Sequence, residues 1–169
     1  MASHRQLTIE EDILARLHDD SPAAQVVSDL TELTPLAVIA AVVLAVLLLL
    51  RRWADAAYFV AGVGIVWAVN PLLKELFCRS RPDLWPLPAD VSEYSFPSGH
   101  AANTAALVGA LVLILRRRAW MVAGAGVLVV VGLSQLVLGR HYPTDVVAGW
   151  LWALAWVGVL RKLTKGGPG

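Results

Sequence analysis

Gly139-Arg140-His141-Tyr142-Pro143-Thr144-Asp145 joins two apolar runs, Ala119–Leu138 before it and Pro143–Leu160 after it. A short polar turn between two long apolar segments reads as two helices joined at one membrane face. Proline suits the first turn of a helix, where its missing N–H costs nothing, so the second helix is expected to start near Tyr142 or Pro143. That start leaves His141 at the helix mouth, Asp145 in the first turn, and unpaired backbone N–H groups beside both. A carboxylate near an imidazole can fix its tautomer and ready it as a nucleophile or base. Helix N-termini also favour anions. Taken alone, the stretch reads better as an ordinary helix start carrying an interfacial His and Asp.

Composition extends the same reading. Of 169 residues, 57% are hydrophobic and only 16% charged, and the mean hydropathy is +0.64. A soluble domain of this length is far less apolar. Net charge is +1, and no basic patch interleaves with aromatics, so no nucleic-acid partner is implied. The single cysteine, Cys78, excludes an internal disulfide and a thiolate metal cluster. A cysteine-dependent phosphatase loop would place an arginine six positions on, where Leu84 stands.

Five candidate spans follow along the chain: Leu33–Leu50, Ala54–Phe77, Ser98–Leu115, Ala119–Leu138 and Pro143–Leu160. Several lie near the lower limit of roughly 17 residues for a spanning helix. Ahead of them, Ile9, Ile13, Leu14 and Leu17 recur at helical spacing among acidic residues. That pattern predicts an amphipathic helix at the membrane surface or a solvated helical tail. No signal peptide is apparent in residues 1–32. The expected fold is therefore all-α: a polytopic membrane bundle of about five transmembrane helices plus an N-terminal amphipathic helix. Residues 1–32 form the interfacial segment and 33–165 the transmembrane domain. The Ser80–Pro97 connection holds Pro82, Pro86, Pro88 and Pro97, which exclude a helix there. Ala102, Ala106 and Ala110 share a face, and Gly62, Gly64, Gly124 and Gly126 recur; close helix packing is the expected reason.

Arg51-Arg52, Arg116-Arg117-Arg118, Arg161-Lys162 and Lys165 fall on one side of a five-span arrangement, which the positive-inside rule makes cytoplasmic. The opposite side receives Lys74, Arg79, Arg81 and Arg140 against that rule. Anion binding would explain cations placed there.

Three segments meet on this extracytoplasmic face. Lys74 to Pro82 closes the second span, and a lysine in an apolar helix is costly unless paired, functional or snorkelling to the interface. Phe96-Pro97-Ser98-Gly99-His100 opens the third span, with Ser98 a natural N-cap and Gly99 permitting close backbone approach. Ser134-Gln135 and Arg140 to Asp145 form the last segment. Two histidines, a carboxylate, several cations and two helix N-termini are an inventory for phosphoryl transfer. No Asp, Glu or His spacing builds a two-metal site, so metal independence is expected, with no cofactor.

These segments resemble the signature motifs of the type 2 phosphatidic acid phosphatase superfamily, whose membrane members are lipid phosphate phosphatases. Lys74, Arg81 and Pro82 match a lysine, six residues, then Arg-Pro. Pro97 to His100 match Pro-Ser-Gly-His outright. Ser134, His141 and Asp145 match the third motif, whose arginine is here Gln135. The resemblance spans residues 74–145, and three motifs in order on one face are specific where any one is weak. It implies that His141 is a nucleophile forming a phosphohistidine, oriented by Asp145, with His100 as general acid. It implies phosphate binding by Lys74, Arg81, Ser98 and Gly99, with Gln135 at the arginine position and Arg140 nearby.

Two departures stand out. Gln135 carries no charge, and losing one charge-assisted bond to phosphate costs roughly 1.5–3 kcal/mol. Arg79 or Arg140 are the available substitutes, although Arg140 would face elsewhere if the helix through Gln135 continued. Membrane relatives usually have six spans, and an amphipathic segment stands here in place of the first. The expected activity is hydrolysis of a lipid phosphate or pyrophosphate in the cell membrane, on phosphatidic acid, phosphatidylglycerol phosphate or a polyprenyl phosphate. The partners are thus the lipid substrate and the surrounding membrane lipids; nothing sets an oligomeric state. Gln135 is expected to leave the enzyme active but weakened or retuned, and the competing class is a catalytically weakened or inactive membrane scaffold that keeps the motifs. A vanadate-dependent haloperoxidase or a channel ranks lower, since the former relatives are larger and soluble and the spans lack paired discontinuous helices.

Overall fold

The ends of the helices follow from local residues. In the computed structural model, which describes residues 8–88 and 91–165, α1 (Ile9–Leu17) opens on a capping box. Thr8 Oγ1 accepts from the Glu11 amide, and the Glu11 carboxylate accepts from the Thr8 amide. α2 (Pro22–Leu30) starts on a proline at its first position. Then come α3 (Leu33–Leu49), α4 (Trp53–Phe77), α5 (Gly99–Leu115), α6 (Arg118–Val137) and α7 (Pro143–Lys165). Among the described residues there is no strand, only an isolated bridge between Ser80 and Tyr94.

The last five helices coincide with the five expected spans to within a few residues. By length and composition α4, α6 and α7 can each cross a membrane. α2 and α3 pass that test together as a pair bent by 50°, and α5 is a shorter apolar helix of 17 residues. Apolar side chains such as Val42, Val122, Val130 and Leu151 point outwards, a surface suited to lipid rather than water. The fold is an all-helical membrane bundle.

α5 is its centre. Ala101, Ala102, Ala105, Ala106 and Ala110 are fully buried, and α5 packs on α7, α4 and α6. Small side chains let these backbones approach closely. At Gly149 of α7, an added Cβ would lie 2.9 Å from the Ser98 carbonyl oxygen and 3.1 Å from the Ala102 nitrogen. That contact brings the start of α5 against the first turns of α7. The glycine expectation holds in part. Gly62 and Gly124 face neighbouring side chains, whereas Gly64 and Gly126 have nothing within 4 Å and face away from other helices.

Charge sorts to the two ends of the bundle. At one end Asp55 of α4 pairs with Arg52 at 2.6 Å and with Arg161 of α7 at 2.8 Å, and Arg161 also lies over the Tyr58 ring. The motif residues gather at the other end. There α1 and α2 pack across α6. His18 stacks on Trp85 with ring centres 3.8 Å apart, and the Asp19 amide donates to the Val137 carbonyl at 3.1 Å. Residues 1–7 of the expected interfacial segment and 89–90 of the proline-rich connection lie outside the described residues.

Candidate active site

The site begins where α6 stops. Gly139 has φ +63°, a left-handed conformation that glycine adopts without strain, and the Trp85 ring lies where a side chain would stand. The chain therefore reverses after Val137, and the Arg140 amide donates to the Gln135 carbonyl at 3.1 Å. The expectation that Arg140 faces away from Gln135 assumed a continuing helix, and this turn overturns it. Both side chains reach one hydroxyl: Arg140 Nη1 donates to Ser28 Oγ at 2.8 Å and Gln135 Nε2 donates to it at 3.1 Å. Arg140 Nη2 also donates to Gln25 Oε1 at 2.9 Å.

α7 starts at Pro143 as its sequence predicts. Asp145 Oδ2 accepts from the Tyr142 amide at 2.9 Å, so the carboxylate caps its own helix. The same oxygen lies 3.4 Å from His141 Nδ1. Asp145 Oδ1 accepts from Arg79 Nη1 at 2.7 Å, and Arg79 Nη2 donates to Glu10 Oε2 at 2.7 Å. Glu10 Oε1 accepts from the Thr144 amide at 3.0 Å and from its hydroxyl at 2.8 Å. Burial opposes ionisation of Glu10, but the bonds from Thr144 and Arg79 outweigh it and hold its carboxyl below the ordinary glutamate range. The α7 N-terminus was expected to offer free N–H groups to an anion. Two carboxylates from this chain already occupy it, which satisfies the helix dipole internally.

His141 is buried, 2% exposed. Its Nε2 lies 3.2 Å from Arg81 Nη1. A guanidinium only donates, so Nε2 accepts and the ring proton sits on Nδ1, facing Asp145. Burial pushes the imidazole down to about 3; Asp145 opposes this, and the charges of Arg81 and Lys74 reinforce it. At neutral pH His141 is an uncharged ring with its lone pair directed at Arg81. Burial also lowers Arg81, to about 10, which still leaves it cationic.

Arg81 is fixed by the connection it belongs to. Its Nε donates to the Ser92 carbonyl at 2.6 Å, Nη2 to Ser92 Oγ at 3.0 Å and Nη1 to the Arg140 carbonyl at 2.7 Å. Lys74 Nζ shares Ser92 Oγ at 3.0 Å and donates to the Tyr94 carbonyl at 2.8 Å.

A cavity of about 450 Å³ opens over these groups, and Arg81, Gly99, His100, Gln135, Arg140 and His141 line it. The three motifs thus converge on one space. Asp145 stands behind His141, off the lining. Ser98 also lies off it: the hydroxyl accepts from the Ala101 amide, capping α5, while the Ser98 amide donates to the Asp145 carbonyl at 3.0 Å. Lys74 lines an adjoining recess with Ser92 and Tyr94. Among the described residues, no three His, Cys, Asp or Glu side chains group closely enough to hold a metal ion.

Sequence reasoning missed Ser28, Gln25 and Glu10. Gln25 and Ser28 stand three apart on α2, so a shared polar face was readable, but its partner was not.

A PAP2 superfamily family model matches residues 36–166. The chain is 33% identical over 110 residues to phosphatidylglycerophosphatase B of Bacillus subtilis (strain 168), covering 59% of this chain and 53% of that protein. It is 34% identical over 102 residues to a decaprenylphosphoryl-5-phosphoribose phosphatase of Mycobacterium tuberculosis, covering 59% and 54%. It is 41% identical over 87 residues to an undecaprenyl-diphosphatase of Sulfolobus acidocaldarius, covering 50% and 39%. The chain thus spans about half the length or less of these relatives. Among solved structures it resembles the transmembrane PAP2 type phosphatidylglycerolphosphate phosphatase from Bacillus subtilis. The TM-score is 0.82 at 25% identity, covering 94% of this chain and 86% of that one. With three motif segments converging on one cavity and a family match over most of its length, the chain belongs to the PAP2 superfamily.

Proposed function

We propose that this protein hydrolyses a lipid phosphate through a phosphohistidine, without a metal. The observation that carries the reading is the alignment at His141: Nδ1 backed by Asp145, and Nε2 directed at Arg81 on the cavity wall. A phosphate entering the cavity accepts from Arg81 and Arg140 and presents phosphorus to the Nε2 lone pair. The N–P bond forms as the P–O bond to the lipid breaks, and His100, carried as the imidazolium beside the bound phosphate, gives its extra proton to the departing oxygen and becomes neutral. Water then attacks the phosphohistidine, His100 takes a proton from it, and His141 leaves neutral. Asp145 holds the Nδ1 proton throughout, which stabilises the ring while it carries positive charge.

Arginines here do the charge neutralisation that metal ions supply elsewhere, which supports metal independence. Gln135 does not disable the site in this reading, because Arg140 brings a cation to the same hydroxyl. The relatives' names point to lipids with phosphate or diphosphate head groups, among them phosphatidylglycerol phosphate and polyprenyl types. The charge asymmetry between the two ends of the bundle supports a cell-membrane enzyme with its site on the extracytoplasmic side.

The test is phosphate release by the detergent-purified protein from a panel of these lipids, in EDTA, beside His141→Ala. Release that persists in EDTA and vanishes in the variant is expected, with acid-stable label trapped on neither protein and acid-labile label on wild type alone. Release that EDTA abolishes, or that His141→Ala retains, sinks the mechanism.

A further inference from the structure

Ser28 of α2 is fully buried, and three chemistry-bearing side chains converge on its hydroxyl. Arg140 Nη1 lies at 2.8 Å, Gln135 Nε2 at 3.1 Å and His100 Nε2 at 3.4 Å. Arg140 and His100 line the cavity. Nothing in the motifs includes α2, which the sequence places far from all of them. We infer that Ser28 is a positioning residue: it fixes Arg140 as the cation the third motif would otherwise carry at position 135, and it sets the His100 ring.

The inference rests on reading the cavity as a phosphate site, and it explains the substitution at Gln135. A hydroxyl has two acceptor positions and one donor. Arg140 and Gln135 fill both acceptor positions of Ser28 Oγ, and an arginine at 135 would put a second positive charge beside Arg140 against one buried oxygen. Glutamine donates to Ser28 without adding charge, so Arg140 keeps both of its anchors, Ser28 and Gln25. A long flexible cation held at two points loses less freedom when it grips a ligand. The imidazole and the guanidinium share one oxygen, so their separation is fixed by α2. A proton donor and a phosphate clamp that must act on one substrate therefore keep a constant spacing.

The experiment uses the full chain in detergent, with short-chain phosphatidic acid as substrate and inorganic phosphate as ligand. Phosphate binding is read twice, as competitive inhibition and as a rise in melting temperature. Ser28→Ala should weaken phosphate roughly 10-fold, the loss of one charge-assisted bond, and should also lower kcat because His100 loses its stop. Gln25→Met should weaken phosphate more than it lowers kcat, since Gln25 does not reach His100. In an Arg140→Gln background, Ser28→Ala should leave phosphate affinity nearly unchanged, the signature of one residue acting through another. Additive losses in that double variant overturn the inference, as does a Ser28→Ala protein with wild-type phosphate affinity and kcat. If Ser28→Ala does not fold, Gln25→Met decides: its effect on phosphate must disappear without Arg140. Thermal protection needs no turnover. A wild type protected by phosphate but inactive on every lipid therefore counts against the phosphatase reading alone, while the variants still judge Ser28.

Discussion

Arg79 and Arg81 stand two residues apart, yet the structure gives them opposite duties, and exchanging each for methionine separates those duties. Arg79 bridges the fully buried Asp145, at 2.7 Å, and Glu10, at 2.7 Å, and it donates to Thr144 Oγ1 at 2.6 Å. It also covers the Tyr142 ring at 4.2 Å. Arg79→Met keeps much of the stem but leaves the Asp145 carboxylate without its cation. Stranding a buried charge costs roughly 3–5 kcal/mol, and an exposed pair is worth about 0–1. Arg79 is 31% exposed and Asp145 is not exposed at all, so about 3 kcal/mol is the working figure. For a chain of this size that lowers the melting temperature by roughly 6–12 °C. Arg81→Met strands no carboxylate, because its partners are a carbonyl pair, a hydroxyl and a neutral imidazole. Its melting temperature should fall by less, while turnover falls roughly 100-fold or more through loss of a transition-state donor. The assay is intrinsic tryptophan fluorescence on heating in detergent, paired with phosphate release. An Arg79→Met protein that melts with wild type but no longer binds phosphate would show that Arg79 serves the substrate, and the tether account would fail.

Three further outcomes follow from the same geometry. His141 is held to about 3 in the fold, against an ordinary value near 6.5, so the unfolded chain binds the extra proton between those limits. Stability should therefore fall as pH drops below about 6.5, by at most roughly 1.4 kcal/mol per pH unit. His141→Gln should flatten that slope in denaturation midpoints measured from about pH 4 to pH 7, and parallel slopes refute the assignment. Gly149→Ala places a methyl against backbone atoms of α5 that cannot rotate away, so it should cost about 1–3 kcal/mol. It should also lower kcat by displacing the start of α5 from α7, and an unchanged melting curve with unchanged kcat would contradict the contact. Glu10→Gln removes a charge from the α7 N-terminus and from Arg79, and should cost about 1–2 kcal/mol. Its effect should shrink in an Arg79→Met background, where half of the interaction is already gone.

The bundle itself was legible because its cause is local. Apolar runs, Ser98 and Pro143 at helix starts, and the alanine stripe on α5 each act through neighbours a few residues away, and each appears where the pattern places it. The grouping of His100, His141, Arg81 and Arg140 was legible for another reason. Successive spans that cross the membrane in alternate directions bring alternate helix ends onto one face, so residues at or just beyond those ends gather there. Lys74 and Ser98 lie off the cavity lining because each is already engaged: the Ser98 hydroxyl caps α5, and the Lys74 ammonium is held by Ser92 and Tyr94 in the adjoining recess.

What escaped the sequence are the partners that arrive from far along the chain. Gln135 and Ser28 are separated by 107 positions, Arg140 and Ser28 by 112, and Thr144 and Glu10 by 134. No periodicity links such pairs. The acidic residues of α1 resemble a solvated face for the same reason that Glu10 can cap α7: a carboxylate suits water and a helix N-terminus alike. Read within its motif, Gln135 is a missing charge, and a missing charge argues for a failing enzyme. Read with α2 in place, the charge has moved five residues onto Arg140, and glutamine shares the hydroxyl that holds it without adding a second charge.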